Sequence, residues 1–176
     1  MRGVRIVLLF LSLGFAACTQ GNYEGYKYKP YSVRGVTYYP MAPEVTPGYV
    51  EEGIASHYTE GWLVFPGKNS LGEKMWPWTS TAAHKTLPIP CLVEVKNLSN
   101  GRTAIVRVSD RGPFIPGRTL DVTEPVAKKL GFHQQGLTQV RIRVLSVGEG
   151  RSKLTRPIPR ALSVQQDGEA VGGFYR

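Results

Sequence analysis

Cysteine, histidine and acid are all scarce in this chain. Two cysteines, Cys18 and Cys91, stand among 176 residues, too few for a disulfide framework. The three histidines are scattered and do not combine with cysteine at the spacing of a zinc site. No metal or other cofactor is therefore expected. Acidic residues number 13 against 22 basic ones, for a net charge of +9. Such a surface suits an anionic partner: nucleic acid, a membrane surface or an acidic polymer. No helix-turn-helix, zinc-finger or aromatic RNA-binding signature accompanies the charge, which argues against nucleic acid. Long apolar runs are also missing. The one at residues 6–15 is too short to span a bilayer. There is no internal repeat, which excludes a solenoid.

That short apolar run belongs to a leader. Residues 1–17 open with Arg2 and Arg5, continue through the apolar stretch and end Phe15-Ala16-Ala17 before Cys18, the three regions of an export signal. Small residues before a cysteine resemble the processing site of bacterial lipoproteins, which implies that Cys18 is acylated and becomes the new N-terminus. The alternative is an ordinary cleaved signal with an incidental cysteine. Several acyl chains on one residue anchor far more firmly than one, and Thr19 after the cysteine implies the outer membrane of a Gram-negative cell. Losing Arg2 and Arg5 leaves +7, still basic. With Cys18 lipidated, Cys91 has no disulfide partner and reads as a small buried apolar residue.

Residues 18–52 read as the lipidated cysteine and a tether. Seven of the nine tyrosines fall between 19 and 50, without helical or alternating periodicity. Aromatics are unusual in purely flexible spacers, so the run at 30–40 has the alternative of lying extended on the domain. The domain itself spans 53–147. Strands are predicted at 53–59, 92–96, 103–109, 119–122 and 137–147. A short helical turn or irregular segment is expected at 82–87, and a hairpin at Asn97 to Gly101 on its Asn-Gly pair. A helix over 124–130 has Thr123 as its cap, Pro125 in its first turn and Gly131 at its end. Residues 148–176 are a basic tail, expected to be mobile. Several short strands, one small helix and long crossing loops imply a mostly β chain closed into a compact barrel.

The stretch 106–122, V-R-V-S-D-R-G-P-F-I-P-G-R-T-L-D-V, organises the rest. Alternation along 103–109 makes a half-buried strand. Gly112 and Pro113 then force it to stop. Asp110 thus sits where a rigid sheet ends and the chain turns, a place that holds a functional group steady while exposing it. Glu73 follows Gly72 in a loop rich in Gly, Pro and Trp, and His84 lies in T-A-A-H-K-T-L-P. Two carboxylates and a histidine on loops of one barrel suffice for general acid–base chemistry on a sugar. Trp62, Trp76 and Trp78 offer flat faces for sugar rings or for packing on the barrel.

In order, the chain carries G-I-A-S-H-Y, G-E, T-A-A-H-K-T-L-P, V-x-N-L-x-N-G-R, V-R-V-S-D-R-G-P-F and G-R-T-L-D-V. This series, over residues 53 to 146, resembles the rare lipoprotein A family. The resemblance implies a six-stranded double-psi β-barrel with one or two short helices. It also implies an endolytic lytic transglycosylase that cleaves between N-acetylmuramic acid and N-acetylglucosamine and leaves a 1,6-anhydro sugar. Its catalytic positions fall on Asp110, as acid/base, and Glu73. Substrate-binding roles fall on His84, Tyr58, Arg111 and Trp76. Arg111 is expected to point away from Asp110, towards Asp121 or a backbone carbonyl, because a guanidinium beside the acid would oppose its proton. The implied partners are peptidoglycan strands and, through the lipid, a membrane; the chain is expected to be a monomer. The sequence also departs from the family pattern. Trp76 stands where relatives often carry aspartate, and His57 and Thr59 replace the usual residues of the A-S-W-Y-G start. A second function class, a catalytically silent barrel that binds glycan or a wall-associated partner, follows from those departures.

Overall fold

The computed structural model of the chain describes residues 25–58, 67–149 and 153–155. The leader, Cys18, Trp62 and most of the tail lie outside the described residues.

The strands are β1 (Tyr31–Val33), β2 (Val36–Tyr38), β3 (Val50–Tyr58), β4 (Thr81–His84), β5 (Cys91–Asn97), β6 (Thr103–Asp110), β7 (Arg118–Thr123), β8 (Leu137–Val147) and β9 (Leu154–Thr155), with one helix, α1 (Glu124–Leu130). Six of them run β3-β7-β4-β6-β5-β8, and β8 pairs back onto β3. The ring is therefore closed, with no open edge. The β3–β7 and β4–β6 pairs are parallel and the other pairs in the ring antiparallel, giving the double-psi barrel that the resemblance implied.

Alternation places Val93 and Val95 of β5, Val106 and Val108 of β6, Leu120 and Val122 of β7, and Val140, Ile142 and Val144 of β8 inside the ring. Each is at most 1% exposed and contributes about 1.5–3 kcal/mol on burial. Val126, Leu130 and Phe132 extend this core towards α1. Gly53 of β3 is dictated by close approach to β7. A Cβ there would lie 2.7 Å from Thr119 Cβ.

The helix ends as the sequence dictates, with Gly131 left-handed at φ 74°. The Asn-Gly hairpin adds a second stop, because Asn97 Nδ2 and Asn100 Nδ2 both donate to Leu130 O at 3.0 Å. Thr123 occupies the cap position without capping. Its hydroxyl donates to Thr79 O at 2.7 Å instead. Residues 82–87 correct the expected helical turn. Ala82 and Ala83 suit a helix by propensity, yet Thr81–His84 is a strand whose backbone pairs with β6 on one side and β7 on the other; residues 85–87 are irregular, the other reading of this segment.

The tether expectation also needs revision. β3 starts at Val50 rather than Gly53, and residues 25–49 are held against the barrel. Lys27 and Ile89 exchange backbone hydrogen bonds of 2.7 and 3.2 Å. β1 and β2 form a hairpin whose two-residue turn has both φ angles positive, Arg34 at 51° and Gly35 at 78°. Such a turn matches the twist of the strands it joins. Tyr31 and Tyr38 stack at 5.3 Å and both meet Phe114. The run at 30–40 therefore lies on the domain, as the alternative suggested by its aromatics has it, but folded into a hairpin rather than extended.

Candidate active site

Asp110 reaches its position through a β-bulge. Thr81 and Ala82 of β4 face Arg107 and Val108 of β6, but Ala83 faces Asp110, so Ser109 is an extra residue. Simple alternation would put Asp110 on the face of Val108, inside the barrel. The bulge shifts that parity and turns Asp110 outward with Arg107.

The loop before β4 folds down onto this face. Asn69 closes it into a small hairpin: its Oδ1 accepts the N–H groups of Leu71 at 3.0 Å and Glu73 at 2.9 Å, and Gly72 supplies a φ of 85°. Two clasps then hold the hairpin to β6. Ser70 donates its N–H to Asp110 Oδ1 at 2.8 Å, and its hydroxyl donates to the same oxygen. Arg111 N–H is a third donor to Oδ1, at 2.8 Å. In the other clasp, Arg107 Nη1 and Nη2 donate to the two oxygens of Glu73, both at 2.8 Å. Glu73 is exposed, yet Arg107 first and Asn69 after it hold its carboxyl below the usual range, against a smaller opposing effect of desolvation. Glu73 is thus paired with Arg107 through both oxygens, an arrangement that favours its ionised form. Glu149 takes the Nε–H of the same arginine.

His84 and Arg111 together build the turn that follows β4. His84 is 2% exposed, and its Nδ1 accepts the N–H groups of Thr86 and Leu87 at 3.1 Å each. The ring proton is therefore on Nε2, 3.2 Å from Glu51 Oε2. That bond, the largest influence on Glu51, lowers its carboxyl from the ordinary range, with burial opposing. Arg111 turns away from Asp110. Its Nη1 donates to Leu87 O at 2.5 Å and its Nη2 to Lys27 O at 2.6 Å, and its guanidinium lies 5.1 Å from the centre of the Tyr31 ring. Of the two expected directions it takes the backbone carbonyls. Asp121 instead accepts a hydrogen bond from the Ser56 hydroxyl.

Tyr58 lies beside β7, and Trp76 follows Glu73 in the loop before β4. Tyr58 pairs with Thr123 at the far end of β7, whereas His84 pairs with Leu120 near its start. Trp76 stacks on Trp78 at 5.1 Å and 14°, so each indole covers one face of the other. Trp76 O anchors Thr79, whose own carbonyl meets Thr123. The structure thus links Asp110, Glu73, His84 and Arg111 through the hairpin clasped to β6 and the turn after β4, with Trp76 following Glu73 in the same loop and Tyr58 beside Thr123. Three residues of the site were not singled out by sequence. Arg107 was visible only as an outward residue of a strand, Glu51 precedes the expected start of its strand, and Ser70 carried no motif signal. Cys91 is buried, and that burial pushes its thiol up to about 12, which makes it inert. Among the described residues no cluster of three or more His, Cys, Asp or Glu side chains is arranged to hold a metal ion.

Comparison with known proteins places this geometry in a family. A family model described as lytic transglycolase matches residues 50–142, which takes in β3 to the first half of β8 and, with them, Glu51, Ser70, Glu73, His84, Arg107, Asp110 and Arg111. The chain is 45% identical over 127 residues to the endolytic peptidoglycan transglycosylase RlpA of Rickettsia bellii, covering 70% of this chain and 54% of that one. It is 41% identical over 144 residues to the RlpA of Vibrio cholerae, covering 80% and 51%, and 40% identical over 137 residues to that of Pseudomonas aeruginosa, covering 78% and 39%. The chain thus spans about half the length of the curated relatives it matches, or less. On the extent of the family match and the closed double-psi ring, the chain belongs to the RlpA-like family of lytic transglycosylases.

Proposed function

We propose that this protein is an endolytic peptidoglycan transglycosylase that cuts between N-acetylmuramic acid and N-acetylglucosamine and closes the muramic residue into its 1,6-anhydro form. The observation that carries the reading is the fixed carboxyl of Asp110 at a strand end, gripped through one oxygen by Ser70 and Arg111 N–H. Oδ1 is occupied three times as an acceptor, so the proton to be delivered belongs on Oδ2. In the cutting step that proton passes to the glycosidic oxygen, and the bond from that oxygen to muramic C1 breaks with its electron pair going to the oxygen. The muramic C6 hydroxyl then bonds to the positive C1, and its proton returns to Asp110. The acid is regenerated, and no water is consumed. Glu73 supplies ionised charge beside the developing cation, tempered by Arg107, and ties the hairpin that presents Ser70. His84 fixes the turn that Arg111 clasps and orients Glu51.

The family relationship supports the reaction class, and the leader supports the place of action. Acylation of Cys18 would hold the barrel to the outer membrane facing the wall. A second reading, a silent glycan-binding barrel, draws on Trp76 and its stack with Trp78 in place of a second loop carboxylate. Digestion of purified peptidoglycan separates the two. Anhydro-ended fragments in the mass spectrum support the enzyme, and binding without fragments supports the silent barrel. For the anchor, Cys18→Ser is expected to leave the protein soluble in the periplasm; unchanged membrane fractionation contradicts acylation.

A further inference from the structure

We infer that the cavity beneath residues 26–31 is a subsite for an aminosugar bearing a carboxylate, one residue away from the acid. The inference rests on the glycan-cutting function proposed above and names which part of the strand the site selects. The cavity encloses about 540 Å³, within the ~300–1,000 Å³ of small-ligand sites. Tyr26, Tyr28 and Tyr31 form one side of it, and aromatic walls of this kind pack on the apolar faces of pyranose rings. Ser70 and Arg111 belong to the barrel side.

The cavity is built by specific bonds. The Lys27–Ile89 backbone pair fixes one end of the strap, and the Tyr31 hydroxyl fixes the other by donating to Lys85 O at 2.8 Å. Arg111 holds the middle through Lys27 O. Three cations face the same space: Lys27, Lys29 and Arg111. Among the described residues none of them is ion-paired with a carboxylate. Lys27 Nζ donates to Ser70 O at 2.5 Å, and Arg111 donates to neutral carbonyls. These bonds orient the charges without neutralising them, so the cavity keeps a positive field over an aromatic wall. The fitting occupant is a sugar ring with an acidic substituent. On a wall glycan two sources supply that carboxylate: the lactyl group of a peptide-free muramic residue, or the stem peptide of a substituted one. Ser70 connects the subsite to catalysis, because the residue that lines the cavity also donates to Asp110 Oδ1.

The test measures binding of soluble strands to the full chain carrying Asp110→Asn, so that turnover does not interfere, with and without Lys27→Gln and Lys29→Gln. Three probes are compared: peptide-free strands with free lactyl carboxylates, peptide-bearing strands, and peptide-free strands with the lactyl group amidated. The double variant is expected to bind carboxylate-bearing strands about tenfold more weakly, since an exposed pair is worth up to about fivefold, and to lose much of its salt dependence. Amidated strands should bind both proteins alike. Whichever charged probe shows the larger loss identifies the source of the carboxylate. Equal binding of the charged probes by both proteins, or an equal loss on amidated strands, overturns the inference. Lys29→Gln, which breaks no bond to Ser70, is run alone; a loss confined to variants with lowered melting temperature also overturns it. Failure of the unmutated protein to release anhydro products would instead defeat the catalytic proposal and leave the subsite standing.

Discussion

Ser70 grips Asp110 twice through a single oxygen: its backbone N–H lies 2.8 Å from Oδ1, and its hydroxyl donates to the same atom. One residue of a loop thereby sets the orientation of a carboxyl on the barrel.

Ser70→Ala removes the hydroxyl but keeps the N–H. A hydrogen bond to the uncharged acid is worth about 0.5–1.5 kcal/mol, so loss of this orienting bond should lower kcat for anhydro-product release about 2- to 10-fold. Thermal stability should change little, because the backbone bond and the Arg107–Glu73 clasp persist. A fall in stability with undiminished kcat would mean that Ser70 only braces the loop.

Glu51 and His84 give a pH signature. The carboxyl of Glu51 is lowered in the folded protein, chiefly by His84. Its contribution to stability is therefore present above the ordinary carboxylate range and is lost as pH falls through the folded value. Glu51→Gln should lower stability by about 1 kcal/mol at neutral pH, and the gap to the parent should close on acidification below pH ~4. Melting temperatures of both proteins across that range check it; a gap that widens in acid contradicts the pairing.

Gly53→Ala tests the closure of the barrel. The new Cβ would overlap Thr119, whose Cβ lies 2.7 Å away, and overpacking of this kind costs about 1–3 kcal/mol. For a domain near 100 residues that is a loss of roughly 4–8 °C per kcal/mol. Adding Thr119→Gly should restore part of it. An unaltered melting temperature in Gly53→Ala would show that β3 and β7 have room to separate.

Much of this arrangement was legible in the sequence where local pattern and tertiary demand agree. The alternation of Val140, Ile142 and Val144 gave β8 its bounds, and Pro125 with Gly131 gave α1 its bounds, because those elements follow their own periodicity. β4 did not show itself. Ala82 and Ala83 are strand residues because β6 and β7 take up their backbone hydrogen bonds on both sides, a tertiary demand that is absent from the local pattern. The outward turn of Asp110 depends on a bulge opposite Ala83, and bulges leave alternation looking merely imperfect. Local grammar makes Thr123 a cap, while its hydroxyl donates to Thr79 O. Arg107 became meaningful only once the loop carrying Glu73 folded over it. The pairing of Tyr58 with Thr123 follows from the parallel course of β3 and β7, which a linear series of motifs does not encode.

The central claim is that Asp110 delivers and recovers the proton. Its most direct test is the rate at which Asp110→Asn releases 1,6-anhydro-muramic ends from purified peptidoglycan, compared with the unmutated protein at equal binding. Asparagine preserves the shape and can still accept from Ser70, but has no acid to give. The account predicts that release falls by at least ~10²–10⁴-fold, the scale of a lost general acid. Release by the asparagine variant at the rate of the unmutated protein would contradict it.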